Sequence, residues 1–179
     1  VVIKDENKAL NKSIFVDIHG KVLGDYSKTH PFSFTSEEKF FNTGNKLLVV
    51  NFKDVNFGLT ICYDLRFPEL YSALGKKTDV IINIANWPAK RVDHWDILLK
   101  ARAIENQIFV VGANRTGKDE NGLGYIESSN VFNANGERLE FDEYEDMKIY
   151  EINTNWTEEF KTKFNTTNDR KINFYKEIL

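Results

Sequence analysis

A single thiol, Cys62, stands in the 179 residues, inside the stretch NFGLTICYDLRFPE at positions 56–69. An apolar run precedes it and a charged, proline-marked turn follows, which places it where a strand ends and a helix begins. There the positive end of a helix and neighbouring cations lower a thiol's pKa, and the thiolate is the nucleophilic form. A lone strand cysteine is also commonly a small buried hydrophobe, so position alone leaves both roles open. Two and four residues on, Asp64 and Arg66 are candidates for a charge-assisted pair that would fix the turn around the thiol. His30 or His94 would complete a cysteine-histidine hydrolase.

Asn86-Trp87-Pro88 closes a second apolar run. If its strand lies beside that of Cys62, this end of the sheet is where open α/β sheets collect ligands. Trp87 is either a pocket wall or part of the core. Arg91 and His94 are candidates for meeting a substrate carboxylate, and each is as well explained as a solvated residue at a helix start. Arg102 and Glu105, three apart on one helix, read as a structural pair. The three histidines (19, 30 and 94) lack metal-ligand spacing, and the glycines at 117, 122 and 124 do not lead a strand into a helix. No metal and no cofactor is expected.

The elements that must position these groups follow from periodicity. Residues 13–18 (SIFVDI) alternate at period two, and with 22–28 (VLGDYSK) they form a hairpin. Residues 1–12 look like a chain entering partway through a hairpin, which suggests a fragment. Residues 29–45 form a long loop of the sort that is often functional. A second hairpin, 46–53 and 55–63, pivots on Asp54. A helix starts at Pro68 and ends near Gly75. Residues 79–85 (DVIINIA) suit a central strand covered on both faces. The strongest helix spans 93–107, with Asp93 as its cap, Asp96 in its first turn and apolar stripes on two sides. Residues 108–114 are a strand, 125–153 a meander turning at 133–136, and 155–164 a closing helix. Hairpins followed by strand, helix, strand, helix, strand describe an α/β sandwich.

With 41% apolar residues, 28% charged residues and a net charge of −3, the chain has the composition of a folded domain. No Lys/Arg block is dense enough to follow a phosphate backbone, so no nucleic acid is expected as a partner. No apolar run is long enough to cross a membrane and no export signal is read. One cysteine cannot close an internal disulfide, which favours a reducing cytoplasm.

The segments ICYDLRFPELY and IINIANWPAKRVDHWDILLKARAIENQIFVVGANR together resemble the carbon-nitrogen hydrolase (nitrilase) superfamily, and within it the omega-amidase-like branch of small bacterial amidases. The resemblance runs from NKSIFVDIHGKVLGDYSKTHPF to the helix at Asn155. It implies a four-layer α-β-β-α sandwich, incomplete at its N-terminus, in which residues 1–179 form one domain covering about two-thirds of the family fold. It implies Cys62 as nucleophile, Lys28 as the lysine of a Glu-Lys-Cys triad, and Glu37, with Glu38 as its rival, as a further supporting glutamate. The Tyr63 backbone N–H would join Lys28 in the oxyanion hole, Asn86 and Trp87 would bind substrate, and Asp64 and Arg66 would shape the turn. The triad's general base would be a glutamate upstream of Val1. The implied activity is release of ammonia from the terminal amide of a small 2-oxo acid through a cysteine thioester, by a homodimer or higher homo-oligomer whose only other partner is the amide. The alternatives are an amidase for another small amide, or an inert or structural fragment lacking the base.

Overall fold

Period-two alternation at the start of the chain builds an antiparallel sheet of β1 (Val2–Asp5), β2 (Lys8–Val16) and β3 (Val22–Ser27). The computed structural model describes residues 1–178. Residues 1–12 pair with each other as a hairpin: β1 lies against β2 from Val2 opposite Asn11 to Asp5 opposite Lys8, turning at Glu6 in the left-handed region. The β2–β3 turn is closed by Asp17, whose carboxylate accepts the N–H groups of His19 and Lys21 at 2.8 and 2.9 Å.

After the long loop, β4 (Val49–Phe52) and β5 (Val55–Ile61) make the second hairpin. Lys53 and Asp54, with φ of 51° and 62°, supply the two left-handed residues that such a tight turn requires. A tight helical turn at Cys62–Arg66 leads into α1 (Pro68–Gly75), β6 (Val80–Ala85), α2 (Val92–Asn106) and β7 (Phe109–Asn114). The short strands β8 (Gly117–Lys118) and β9 (Gly124–Tyr125) pair with each other before β10 (Asn130–Phe132). The larger sheet has the order β10-β7-β6-β5-β4, with β5, β6 and β7 parallel.

The β-branched run of β6 is buried on both sides, as its sequence predicts. Ile81 joins Tyr71, Leu74, Trp95, Leu99 and Val110 under α1 and α2. Val80 and Ile82 face the opposite side, where Leu59 and Ile61 meet Tyr26, Phe15 and Leu48 between the two sheets. Of the four layers implied, the described residues supply three: helices, large sheet, small sheet. β11 (Asp142–Tyr144) and β12 (Met147–Ile149) form a separate hairpin, and α3 (Thr154–Lys163) packs Trp156 against Phe109 at 6.3 Å. The expected meander is therefore divided, with only β10 joining the large sheet. A last helix, α4 (Ile172–Ile178), follows Arg170, which donates to Ser72 at 2.6 Å and to Asn106 at 3.0 Å.

Two details of α2 differ from the sequence reading. The capping position falls on Arg91, so Asp93 lies inside the first turn and makes no capping hydrogen bond. Asp96 turns away from the helix end to bind Asn130 and Arg138, both at 2.8 Å. Pro88 starts a preliminary turn at Ala89–Arg91 that brings the helix in early.

Candidate active site

The strand-to-helix junction holds Cys62 in the left-handed region, φ 47°. A non-glycine residue stays there only when its surroundings over-determine it. Here the Cys62 N–H donates to Asn83 Oδ1 at 3.0 Å, and the preceding N–H, of Ile61, donates to Asp64 Oδ2 at 3.0 Å. Asn83 is fully buried in the middle of β6 and donates in turn to Thr60 Oγ1 at 2.9 Å and Tyr71 Oη at 3.0 Å.

Asp64 is also fully buried and ties the junction to the other sheet. It accepts the Tyr26 hydroxyl at 2.8 Å, the His30 N–H at 3.0 Å and His30 Nδ1 at 2.8 Å. The expected Asp64–Arg66 pair does not form. With Asp64 turned inward among these partners, Arg66 lies 4.9 Å over the Trp87 ring and reaches His94 Nδ1 at 3.3 Å. From behind, Arg102 donates to the Leu65 carbonyl at 3.0 and 2.9 Å, while its expected pairing with Glu105 is present at 3.1 Å.

Lys28 follows β3 directly and is 5% exposed. Its N–H donates to the Asn11 carbonyl at 2.9 Å and its carbonyl accepts Gly44 N–H at 2.8 Å. Position 44 must be glycine, because a Cβ there would lie 2.0 Å from the Ser27 oxygen. The Lys28 ammonium donates to Glu37 Oε2 at 2.5 Å, and the same carboxylate accepts Phe32 N–H at 2.6 Å and Asn11 Nδ2 at 3.4 Å. Glu38 makes no such contact; its carbonyl accepts the surface Lys8. Burial disfavours the Glu37 carboxylate, but the hydrogen bonds from Lys28 and Phe32 prevail and hold its pKa below the ordinary value.

Lys28, Glu37, Cys62, Tyr63, Asn86 and Trp87 line one cavity of about 730 Å³. Burial pushes the Cys62 thiol up, opposed by the Lys28 ammonium. Sγ lies 3.9 Å from the Asn86 carbonyl. Tyr63 N–H belongs to the first turn of a helical segment, where backbone donors lack intrahelical acceptors. Trp87 borders the cavity but is only 3% exposed; its ring packs on Trp95 at 5.3 Å and its indole N–H donates to Arg91 carbonyl at 2.6 Å. Neither His30 nor His94 is among the residues lining the cavity.

Sequence reasoning missed Asn11, Tyr26 and Asn83. Only Asn83 carried a local signal, a lone amide inside a β-branched run. Among the described residues no cluster of three or more His, Cys, Asp or Glu side chains could hold a metal ion, and no helix is long and apolar enough to cross a membrane.

The carbon-nitrogen hydrolase family model matches residues 2–162. The chain belongs to the carbon-nitrogen hydrolase family. This carbon-nitrogen hydrolase is 39% identical over 137 residues to the omega-amidase YafV of Escherichia coli, covering 76% of this chain and 53% of that one. It is 38% identical over 174 residues to the 2-oxoglutaramate amidase of Paenarthrobacter nicotinovorans, covering 92% and 58%. The crystal structure of XC1258 from Xanthomonas campestris, a CN-hydrolase superfamily protein, superposes with a TM-score of 0.83 at 29% identity, covering 95% of this chain and 67% of that one. The chain thus spans somewhat over half the length of these two curated relatives, and its α/β fold is of the nitrilase type.

Proposed function

We propose that this carbon-nitrogen hydrolase releases ammonia from the terminal amide of a small 2-oxo-acid amide, with Cys62 as nucleophile. One observation carries the reading: the buried Lys28–Glu37 ion pair and the strained Cys62 share a cavity at the mouth of the parallel strands. The substrate class comes from the relatives named omega-amidase and 2-oxoglutaramate amidase.

In this mechanism Sγ attacks the amide carbon, and the carbonyl π electrons move to oxygen. The Lys28 ammonium and the Tyr63 N–H donate to that oxyanion, each such donor contributing roughly 10²- to 10³-fold in rate. Collapse breaks the C–N bond: the amide nitrogen takes up the proton that the thiol gave up and leaves as ammonia, and a thioester remains. Water then adds to the thioester and the acid departs, so one hard step becomes two easier ones. Glu37 fixes the ammonium rather than taking the thiol proton, because its carboxylate is already held by Lys28, Phe32 and Asn11.

A second reading, binding of the amide without turnover, is favoured by one feature: among the described residues no carboxylate is hydrogen-bonded to Sγ to accept its proton. Ammonia release from 2-oxoglutaramate, compared with Cys62→Ala, separates the two. Turnover lost in the variant supports hydrolysis. Equal rates end it, and calorimetric binding of intact 2-oxoglutaramate with no ammonia supports the second reading.

A further inference from the structure

The walls of the cavity carry four cationic side chains, Lys28, Arg66, Lys90 and Arg91, against two carboxylates, Glu37 and Asp119. The cations are not equivalent. Lys28 is paired with Glu37 and faces the amide end, Arg66 is spread over Trp87 with one nitrogen on His94, and Lys90 is exposed. Asp119 is turned back into its own loop, where it accepts Leu123 N–H at 2.9 Å and the Tyr125 hydroxyl at 3.0 Å. Arg91 differs from all of these. Its backbone is pinned, with N–H on the Pro88 carbonyl at 2.9 Å and carbonyl under the Trp87 indole at 2.6 Å. Its guanidinium rests 5.8 Å from the centre of the Phe32 ring, and among the described residues its nitrogens have no hydrogen-bond or ion-pair partner.

An anchored backbone with an unused planar fork facing a cavity is an arrangement suited to a carboxylate, which a guanidinium binds through two parallel hydrogen bonds. Phe32 connects the two ends of the cavity, since it lies under Arg91 and its own N–H holds the Glu37 that holds Lys28. We propose that Arg91 is a specificity residue that binds the carboxylate at the end of the substrate remote from the amide, so that the cavity selects anionic ω-amides over neutral ones. The proposal rests on the amidase reading for the placement of the amide at Cys62, and it decides between Arg91 and His94, because His94 is turned to Arg66 outside the cavity lining.

The test compares 2-oxoglutaramate with 4-oxopentanamide, in which a methyl group replaces the carboxylate. In Arg91→Met the ratio of kcat/KM for the anionic over the neutral amide is expected to fall about 10- to 100-fold, the size of a hydrogen-bonded charged contact. The change should appear chiefly in KM, and Arg91→Lys should restore part of it. A ratio equal to that of the parent chain overturns the proposal. A calorimetric arm needs no turnover: on the Cys62→Ala background, Arg91→Met should weaken 2-oxoglutaramate binding by the same factor, and unaltered binding overturns the proposal there too. If the parent chain turns over neither amide but the calorimetric difference is present, the hydrolytic reading fails while the carboxylate site stands.

Discussion

The amide oxygen of Asn83, at the centre of a parallel sheet, accepts the backbone N–H of Cys62 at 3.0 Å. A fully buried strand residue thereby fixes the backbone of the reactive thiol in a conformation it would not hold alone. Asn83→Ala strands the Cys62 N–H and removes the donor that Thr60 and Tyr71 share. The expected cost is about 3 kcal/mol, read as a lower urea midpoint at unchanged slope. A midpoint within error of the parent would show that Cys62 holds its geometry unaided.

Lys28→Met leaves Glu37 nearly buried without its cation, which should destabilise by about 3 kcal/mol at neutral pH. Glu37 has a lowered pKa in the folded state, so the pair's contribution is complete above the ordinary value of 4.5 and is lost as pH falls through the folded value. In the variant, burial is opposed only by the hydrogen bonds from Phe32 and Asn11, so the protonated acid is favoured more than in the parent. The stability gap between the two proteins should therefore narrow as the pH is lowered below about 4.5, and a gap independent of pH would contradict the ion pair.

Reactivity of the thiol follows from the same charge. Burial raises the Cys62 pKa above the ordinary 9.0 and the Lys28 ammonium partly offsets it. Iodoacetamide should alkylate Cys62 with a rate still rising at pH 9, and roughly tenfold more slowly at pH 7 in Lys28→Met. Equal alkylation rates would remove Lys28 from the nucleophile's surroundings.

His30 is stacked 3.7 Å from the Phe67 ring with Nδ1 on Asp64, and His94 faces Arg66. Neither is placed to act as base. The pH-rate profiles of His30→Ala and His94→Ala should keep the parent's shape, with His30→Ala losing about 1 kcal/mol of stability through the Asp64 contact. An inflection that disappears in either variant would revive the cysteine-histidine alternative.

We propose that the protein is a homodimer that meets its partner through the outward face of α2, where Ile97 is 64% and Ile104 44% exposed. Replacing both by lysine should shift sedimentation equilibrium from twice the chain mass to 20.8 kDa. A parent chain already sedimenting at the single mass would dispose of this interface.

What the sequence determined by itself was local. The β-branched run of β6 announced a strand covered on both faces, Pro68 opened α1 where expected, and the residues around Cys62 and Asn86-Trp87-Pro88 carried the family pattern. These are properties of periodicity, turn chemistry and short motifs, which a linear reading can capture. Tertiary structure decided the partners. Glu37 and Glu38 are adjacent rivals that the family resemblance separates only by position, and it is the approach of the loop to the end of β3 that gives Lys28 to Glu37. Nearness along the chain pairs Asp64 with Arg66, but folding brings Tyr26 and His30 to it from 38 and 34 positions away. Asn83 likewise reaches Cys62 across 21 positions because β5 and β6 lie side by side. A buried polar group must find its hydrogen bonds wherever the packed chain offers them, and that choice is made in space, not along the sequence.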